Sequence, residues 1–490
     1  MEPLSANLKQ NTSKIRLTHF FAILFSAFIL CFIAIYNSYP LTFNNDTGAY
    51  VEAGFNKVVS FDRPILYGLF IYYSSFQKSL WLVVITQSLI VSVIIYYYFR
   101  YTVYSTNFIP YFIGFIVVIS FFMGGSFEVS WLMPDVFTPV SILCVGLLIF
   151  INDLKKRDIL IISLLAILSN GVHNSHIYIC LCLSFLFLSG FIFKQIRQIF
   201  NFSAIKIKRV IFVLLLSVFS SLMLSSVHYL YGGGFSGSRG GSVFLMSNLV
   251  EMGIMDTYLA ENCSQKHYKL CAYRDSIPNN FLWAENSPIN KTGGWIKNEA
   301  EYSAIVKDIL TTPKYLATFI YQSCIYTFKQ FFNYDMVDIA LPSERIDRAV
   351  AKYQKEYLSY LHARQSTNRM SFGLINFIQN LIVGLCLFIY LLVFLYKKMT
   401  LRYRVLIFFV LSGLFINAWI CSTFSCVSPR YQTRVIWLLL LPLFLYVFEY
   451  QKGKAVMRRI KSNLPAFKLL NKDKQILILK VFPVAKRDRS

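Results

Sequence analysis

The sequence predicts an all-α polytopic membrane protein with about ten transmembrane helices and a mainly helical extracytoplasmic domain. Three observations predict it. Hydrophobic residues make up 56% of the 490 residues and charged residues only 15%, against roughly 25% charged in ordinary soluble domains. A water-soluble chain of this length needs more charge to cover its surface. Apolar runs of about 20 residues, the length that crosses a bilayer core as a helix, recur along the chain. The 48 Lys and Arg against 24 Asp and Glu, a formal +24, also sort by side once those runs are threaded. Composition and length together exclude disorder, collagen-like repeats and small disulfide scaffolds.

The ten runs are 18–37, 80–99, 107–123, 135–151, 159–172, 176–193, 210–228, 372–396, 405–421 and 435–449. Lys9, Lys14 and Arg16 precede the first run and no small-x-small cleavage site follows it, so it reads as a retained signal anchor. The fifth run is short and closes on Asn170-Gly-Val-His-Asn-Ser-His176, which suggests a segment that bends back. With the N-terminus in the cytoplasm, ten spans return the C-terminus there. The cytoplasmic side then holds 28 of the 48 basic residues and 6 of the 24 acidic ones, the positive-inside pattern. A nucleic-acid footprint needs no such sidedness, so no nucleic-acid partner is expected.

Four parts follow. Residues 1–228 form an N-terminal transmembrane module whose first outer loop is 38–79. Residues 229–371 form the extracytoplasmic domain, 372–449 the C-terminal transmembrane helices, and 450–490 a basic cytoplasmic tail. Within the outer domain, Pro342-Ser-Glu-Arg345 starts an amphipathic helix that Ser343 can cap, with Ile346, Val350, Tyr353, Tyr357 and Leu361 on one face. Tyr315–Phe332 is apolar enough to resemble a span, but crossing there would put Lys397–Arg404 and the tail outside. An interfacial helix on the outer membrane surface fits the charge pattern better. Cys263 and Cys271, eight apart, can pair in an oxidising compartment, which leaves Cys324 over.

Four polar clusters fall on the outer side, where ionisable groups at the membrane edge are costly unless paired or functional. The first runs from Asn44-Asn-Asp-Thr-Gly-Ala-Tyr50 to Ser60-Phe-Asp-Arg-Pro64. Asp46 either caps a short helix or serves as a general base whose basicity partial desolvation raises. Arg63 either binds a lipid phosphate or pairs with Asp62. The second cluster, Gly124-Gly-Ser-Phe-Glu-Val-Ser-Trp-Leu-Met-Pro-Asp135, carries Glu128 and Asp135 with no Lys or Arg, which suggests a metal or polar ligand, or a solvated hairpin. The third, His173-Asn-Ser-His176, offers an i,i+3 pair for metal, for substrate hydrogen bonds or for packing. The fourth, Cys426-Val-Ser-Pro-Arg-Tyr-Gln-Thr-Arg434, puts Arg430 and Arg434 on one helix face beside Tyr431. They read as an anion site or as interface anchors. Gly232–Gly241 lacks a phosphate-loop ending and reads as a flexible exit or a loop over a site.

The combination of an N-terminal span, an outer loop with Asp46-Thr-Gly-Ala-Tyr50 and then Asp62-Arg-Pro-Ile-Leu-Tyr67 resembles the GT-C glycosyltransferase superfamily. Protein O-mannosyltransferases and lipid A aminoarabinose transferases have an acid followed by Tyr and then a Pro-Pro-Leu-Tyr-like stretch at comparable places. Here Ile65 replaces the second proline, and Thr47 stands where many relatives have a second acid. Cys263–Trp283 and Ser428-Pro-Arg-Tyr-Gln-Thr-Arg-Val-Ile-Trp437 resemble a poorly characterised group of bacterial membrane proteins.

The resemblance implies a bacterial inner-membrane enzyme with both termini cytoplasmic. It would move a sugar from a polyprenyl-phosphate donor to an extracytoplasmic hydroxyl on a glycan, lipid or protein, with inversion. Asp46 would be the catalytic base and Arg63, Arg430 and Arg434 would bind the donor phosphate. Tyr50, Glu128, Asp135, His173, His176 and Tyr431 would line the substrate site. The resemblance assigns no definite cofactor and leaves a divalent metal as an alternative. A lipid-linked glycan flippase and a glycan polymerase or ligase are the alternatives.

Overall fold

The computed structural model describes residues 2–103, 108–193, 205–336, 342–396 and 399–447. The basic tail 450–490 and the segment 194–204 lie outside the described residues. Among those described the chain is helical and without strands. One isolated parallel bridge joins Leu41 to Trp131.

Helix α1 (Glu2–Leu30) starts well before the first apolar run, breaks at Cys31 and continues as α2 (Phe32–Asn37). The loop 38–79, expected on the outer side, folds into two short helices, α3 (Asn44–Asn56) and α4 (Leu66–Ser74). There follow α5 (Trp81–Thr102), α6 (Ile109–Phe122), α7 (Gly125–Ser130), α8 (Phe137–Phe150), α9 (Lys156–Gly171), α10 (Asn174–Ile192) and α11 (Ile207–Leu230). The segment 229–371, expected on the outer side, contributes α12 (Gly241–Glu251), α13 (Ile254–Asn262), α14 (Pro288–Lys291), α15 (Gly294–Thr311), α16 (Pro313–Phe331), α17 (Glu344–Ala351) and α18 (Tyr357–Leu361). Then come α19 (Gly373–Tyr396), α20 (Leu401–Phe424) and α21 (Arg430–Ile436), and residues 440–447 are again helical.

Five of these, α5, α10, α11, α19 and α20, are long and apolar enough to cross a membrane, which gives an all-α membrane protein. Shorter apolar helices at Arg16–Leu30, Ile109–Phe122 and Pro134–Phe150 accompany them. Their outward faces stay apolar. Leu374, Phe377, Leu381, Leu385 and Phe388 recur at helical spacing along one exposed side of α19, a stripe suited to lipid rather than water.

Most of the chain shares one apolar cluster, in which Phe99, Phe112 and Phe115 meet Val435, Trp437 and Leu441. A second cluster belongs to the segment 229–371 and joins Val243, Met246, Tyr258, Phe281, Tyr302 and Ile305. Cys263 and Cys271 form a disulfide there, as their spacing suggests, and Cys324 is free and exposed.

Ser343 caps α17, its Oγ accepting from the Ile346 amide. The expected long helix nevertheless stops at Ala351 and resumes in short pieces up to Leu361. Tertiary bonds break it. The Glu356 carboxylate accepts from the Tyr39 hydroxyl at 3.1 Å and the Leu80 amide at 3.0 Å, and the Tyr353 hydroxyl lies 3.0 Å from Ser75 Oγ. The segment Tyr315–Phe332 forms α16, which packs along α20, with Phe328 and Phe331 5.7 and 6.3 Å from the Phe415 ring. Ile320, Tyr321 and Phe328 remain exposed on it.

Candidate functional site

Helix α3 is fixed from three sides. The Leu41 amide donates to Ser130 O and the Leu132 amide to Leu41 O, both at 2.9 Å. Thr47 Oγ1 accepts from the Phe43 amide and donates to Leu132 O. Bare glycines permit the other two contacts. A Cβ on Gly48 would come within 2.8 Å of Arg345 O in α17, and one on Gly54 within 2.2 Å of Gly68 O in α4. Asp46 lies in the first turn of α3, where the helix dipole favours a negative charge. It makes no capping bond, so the cap role is not the one it fills.

The Asp46 carboxylate instead joins two distant arginines. Arg63 Nη1 donates to Oδ1 at 3.0 Å and Arg430 Nη1 to Oδ2 at 3.1 Å. Arg63 is held from behind by Asp62, at 2.9 Å from Nε and 2.5 Å from Nη2, and lies over the Tyr50 ring at 5.2 Å. Arg63 thus pairs with two carboxylates, Asp62 and Asp46. Arg430 lies over the rings of Phe43 and Tyr431 and donates to the Tyr431 hydroxyl at 3.1 Å, which in turn meets Ser425 Oγ at 3.0 Å. Tyr50 packs edge-on against Tyr67 at 5.0 Å.

Burial pushes the Asp46 pKa up, but the Arg63 and Arg430 guanidiniums outweigh it and hold the carboxyl below its ordinary value. This corrects the expected gain in basicity. Desolvation alone would raise it, and two contacting cations reverse the sign.

Arg434 follows Arg430 by one turn but has a different environment. Its side chain is 1% exposed, against 15% for Arg430. It donates to Asp135 at 2.9 Å, to Asn417 Oδ1 at 2.8 Å and to Cys421 Sγ at 3.1 Å. Such a group neither snorkels to the interface nor presents itself to a phosphate. Asn417, a polar residue inside the apolar run 405–421, was the available sign of this buried network.

The turn 124–135 is buried along its whole length, so it is not a solvated hairpin. Neither oxygen of Glu128 has a partner. Burial pushes its pKa well up and Asp135 adds to this, against Arg434 and Arg430.

The histidines separate. His176 Nδ1 meets Ser169 O at 2.6 Å and Nε2 meets Thr138 Oγ1 at 2.7 Å, which is satisfied packing. His173 caps α10, its Nδ1 accepting from the Ser175 amide at 3.2 Å. Burial, with Arg434, Arg430 and Arg63 nearby, brings its pKa down to about 3, so the ring is neutral at pH 7. With both His176 nitrogens engaged, the pair is no metal site. Among the described residues no group of three or more His, Cys, Asp or Glu is arranged to hold a metal ion.

The glycine-rich segment closes on the same turn as Arg63. The amides of Arg239 and Gly240 both donate to Phe61 O at 3.0 Å, and Ser238 Oγ donates to Asp62 O at 3.4 Å. Compared with known proteins, the chain matches no family model, no curated protein and no solved structure.

Proposed function

We propose that the protein is a membrane glycosyltransferase that moves a sugar from a polyprenyl-phosphate donor to an extracytoplasmic hydroxyl acceptor, with inversion. One observation carries this reading: Asp46 held between Arg63 and Arg430, all three partly open to solvent. The GT-C resemblance of the surrounding motifs, ten spans with both termini cytoplasmic and residence in a bacterial inner membrane belong to the same proposal. Membrane lipids are its surroundings and the source of its donor.

The chemistry follows from competition for the two guanidiniums. Arginine forks suit phosphate oxygens, so an incoming phosphodiester draws Arg63 and Arg430 away from Asp46. Losing its cations raises the basicity of the half-buried carboxylate. It then takes the proton of the acceptor hydroxyl, and the oxygen attacks the anomeric carbon from the side opposite the phosphate. The new glycosidic bond forms as the anomeric carbon–oxygen bond to phosphate breaks. The electron pair leaves with polyprenyl phosphate, whose growing charge the two arginines stabilise. Arg434, Asp135 and Asn417 anchor α21 and so position Arg430.

Purified protein given a polyprenyl-linked sugar should release polyprenyl phosphate, and Asp46→Asn should abolish that release. Undiminished turnover in the variant would sink the assignment. The length of the product separates a single-sugar transferase from a polymerase or ligase. A lipid-linked glycan flippase is the second reading, favoured by Glu128, since an unpaired buried acid also suits a carrier that moves protons. Leaflet-to-leaflet movement of the lipid-linked sugar in liposomes, indifferent to Asp46→Asn, would establish the flippase instead.

A further inference from the structure

A row of aromatic rings leads from the surface of the outer segment to the turn that holds Arg63. Trp283 is 63% exposed and lies outside the apolar cluster of that segment, against which Trp295, Phe244 and Phe61 do pack. Its ring is 6.1 Å from Trp295, tilted by 47°. Trp295 meets Phe244 edge-on at 5.2 Å and Phe61 edge-on at 6.3 Å. Phe61 is followed directly by Asp62 and Arg63, and its ring carries the Arg239 guanidinium at 5.2 Å. Arg239 is itself paired with Glu299.

An indole left in water forgoes a large burial gain, and exposed apolar patches of this kind mark binding surfaces. We propose that Trp283, Trp295 and Phe61 form a carbohydrate-binding subsite that guides a glycan acceptor toward Asp46. The acceptor role rests on the transferase reading; the carbohydrate binding does not. Pyranose rings present an apolar C–H face that stacks on indole, while their hydroxyl edges take hydrogen bonds from planar charged groups. The Arg239–Glu299 pair stands beside Phe61 to supply those bonds. A membrane-anchoring role for the rings fits less well. Exposed Glu285 and Lys297 follow Trp283 and Trp295 by two residues in the chain and exposed Arg239 lies over Phe61, and an anchor gains nothing from ending at the Phe61-Asp62-Arg63 turn.

The test uses the full chain in nanodiscs on an array of neutral and acidic oligosaccharides, with Trp283→Ala and Trp283→Phe beside the wild type. Trp283 contributes nothing to the apolar cluster, so both variants should fold. Glycans retained by the wild type should bind Trp283→Ala about five- to tenfold more weakly, the loss expected for one stacking ring, and Trp283→Phe should recover most of that. Identical profiles for wild type and Trp283→Ala, including retention of nothing by either, would overturn the proposal. So would brominated phospholipid quenching the fluorescence that distinguishes wild type from Trp283→Phe, because the ring would then face lipid. Glycan binding that depends on Trp283 without any sugar transfer would leave the subsite standing and remove the transferase. Asp46-dependent transfer with binding indifferent to Trp283 would do the reverse.

Discussion

Asp46 and Arg434 show how the same kind of pairing gives opposite consequences at different depths. Asp46 shares its charge between two arginines at a partly open surface, and its folded-state pKa lies below the ordinary 3.8. As pH falls, the unfolded chain therefore takes up the proton first. The stabilisation from this contact is complete well above 3.8, declines as pH drops through that value and is gone below the folded-state pKa. Thermal unfolding measured from about pH 5 down to about pH 3 should show a shallower loss of midpoint in Asp46→Asn than in wild type. An equal slope would place Asp46 outside the acid-sensitive set. The Arg434–Asp135 pair is sealed from water, so removing one partner strands a buried charge. Arg434→Met should cost about 3–5 kcal/mol, read as a fall in unfolding midpoint in detergent. Arg434→Met with Asp135→Leu should recover part of the loss, because the stranded carboxylate goes with it.

At the scale of elements, the site depends on how closely three short helices approach one another. The α3–α4 crossing has no room for a methyl group, since a Cβ on Gly54 would sit 2.2 Å from the backbone oxygen of Gly68. Gly54→Ala should therefore push α4 away, destabilise the protein by about 1–3 kcal/mol and move Arg63 off Asp46. Activity and unfolding midpoint should fall together, whereas Gly241→Ala, with nothing near its Cβ, should change neither. The sequence announces each of these helices through local signals such as Ser343 ahead of α17. It does not announce their ends. Where α17 stops is decided by Glu356 binding Tyr39 and Leu80, partners hundreds of positions away. The pairing of Arg430 with Asp46 spans a separation of 384 residues, and no local pattern encodes a contact of that range. What was legible was chemistry without geometry: Asp46, Arg63 and Arg430 stood out as polar groups at a membrane edge, while the buried fate of Arg434 and Glu128 emerged only from packing.

For the whole molecule, the ten-span topology rests on charge. In the proposed topology the cytoplasmic loops take most of the basic residues, the outer side is nearly neutral, and Asp46, the aromatic row and the disulfide fall on it. One apolar cluster joins the apolar helices to Tyr50, Ile346, Val350 and Tyr360, and the other lies in the segment that carries Cys263 and Cys271. Cys324 gives a direct test, because it is the one exposed free thiol among the described residues and lies on α16, between the disulfide and α17. In intact cells a membrane-impermeant maleimide should label Cys324, and Cys324→Ser should remove most of the signal. A cysteine placed at exposed Asp153, in the turn between α8 and α9, should react only after the membrane is opened. If the two sites exchanged their behaviour, the whole topology would be inverted and Asp46 would face the cytoplasm. Labelling of both sites from outside would mean an even number of crossings between α9 and α16 and would overturn the ten-span topology, whose basic loops would no longer share one side.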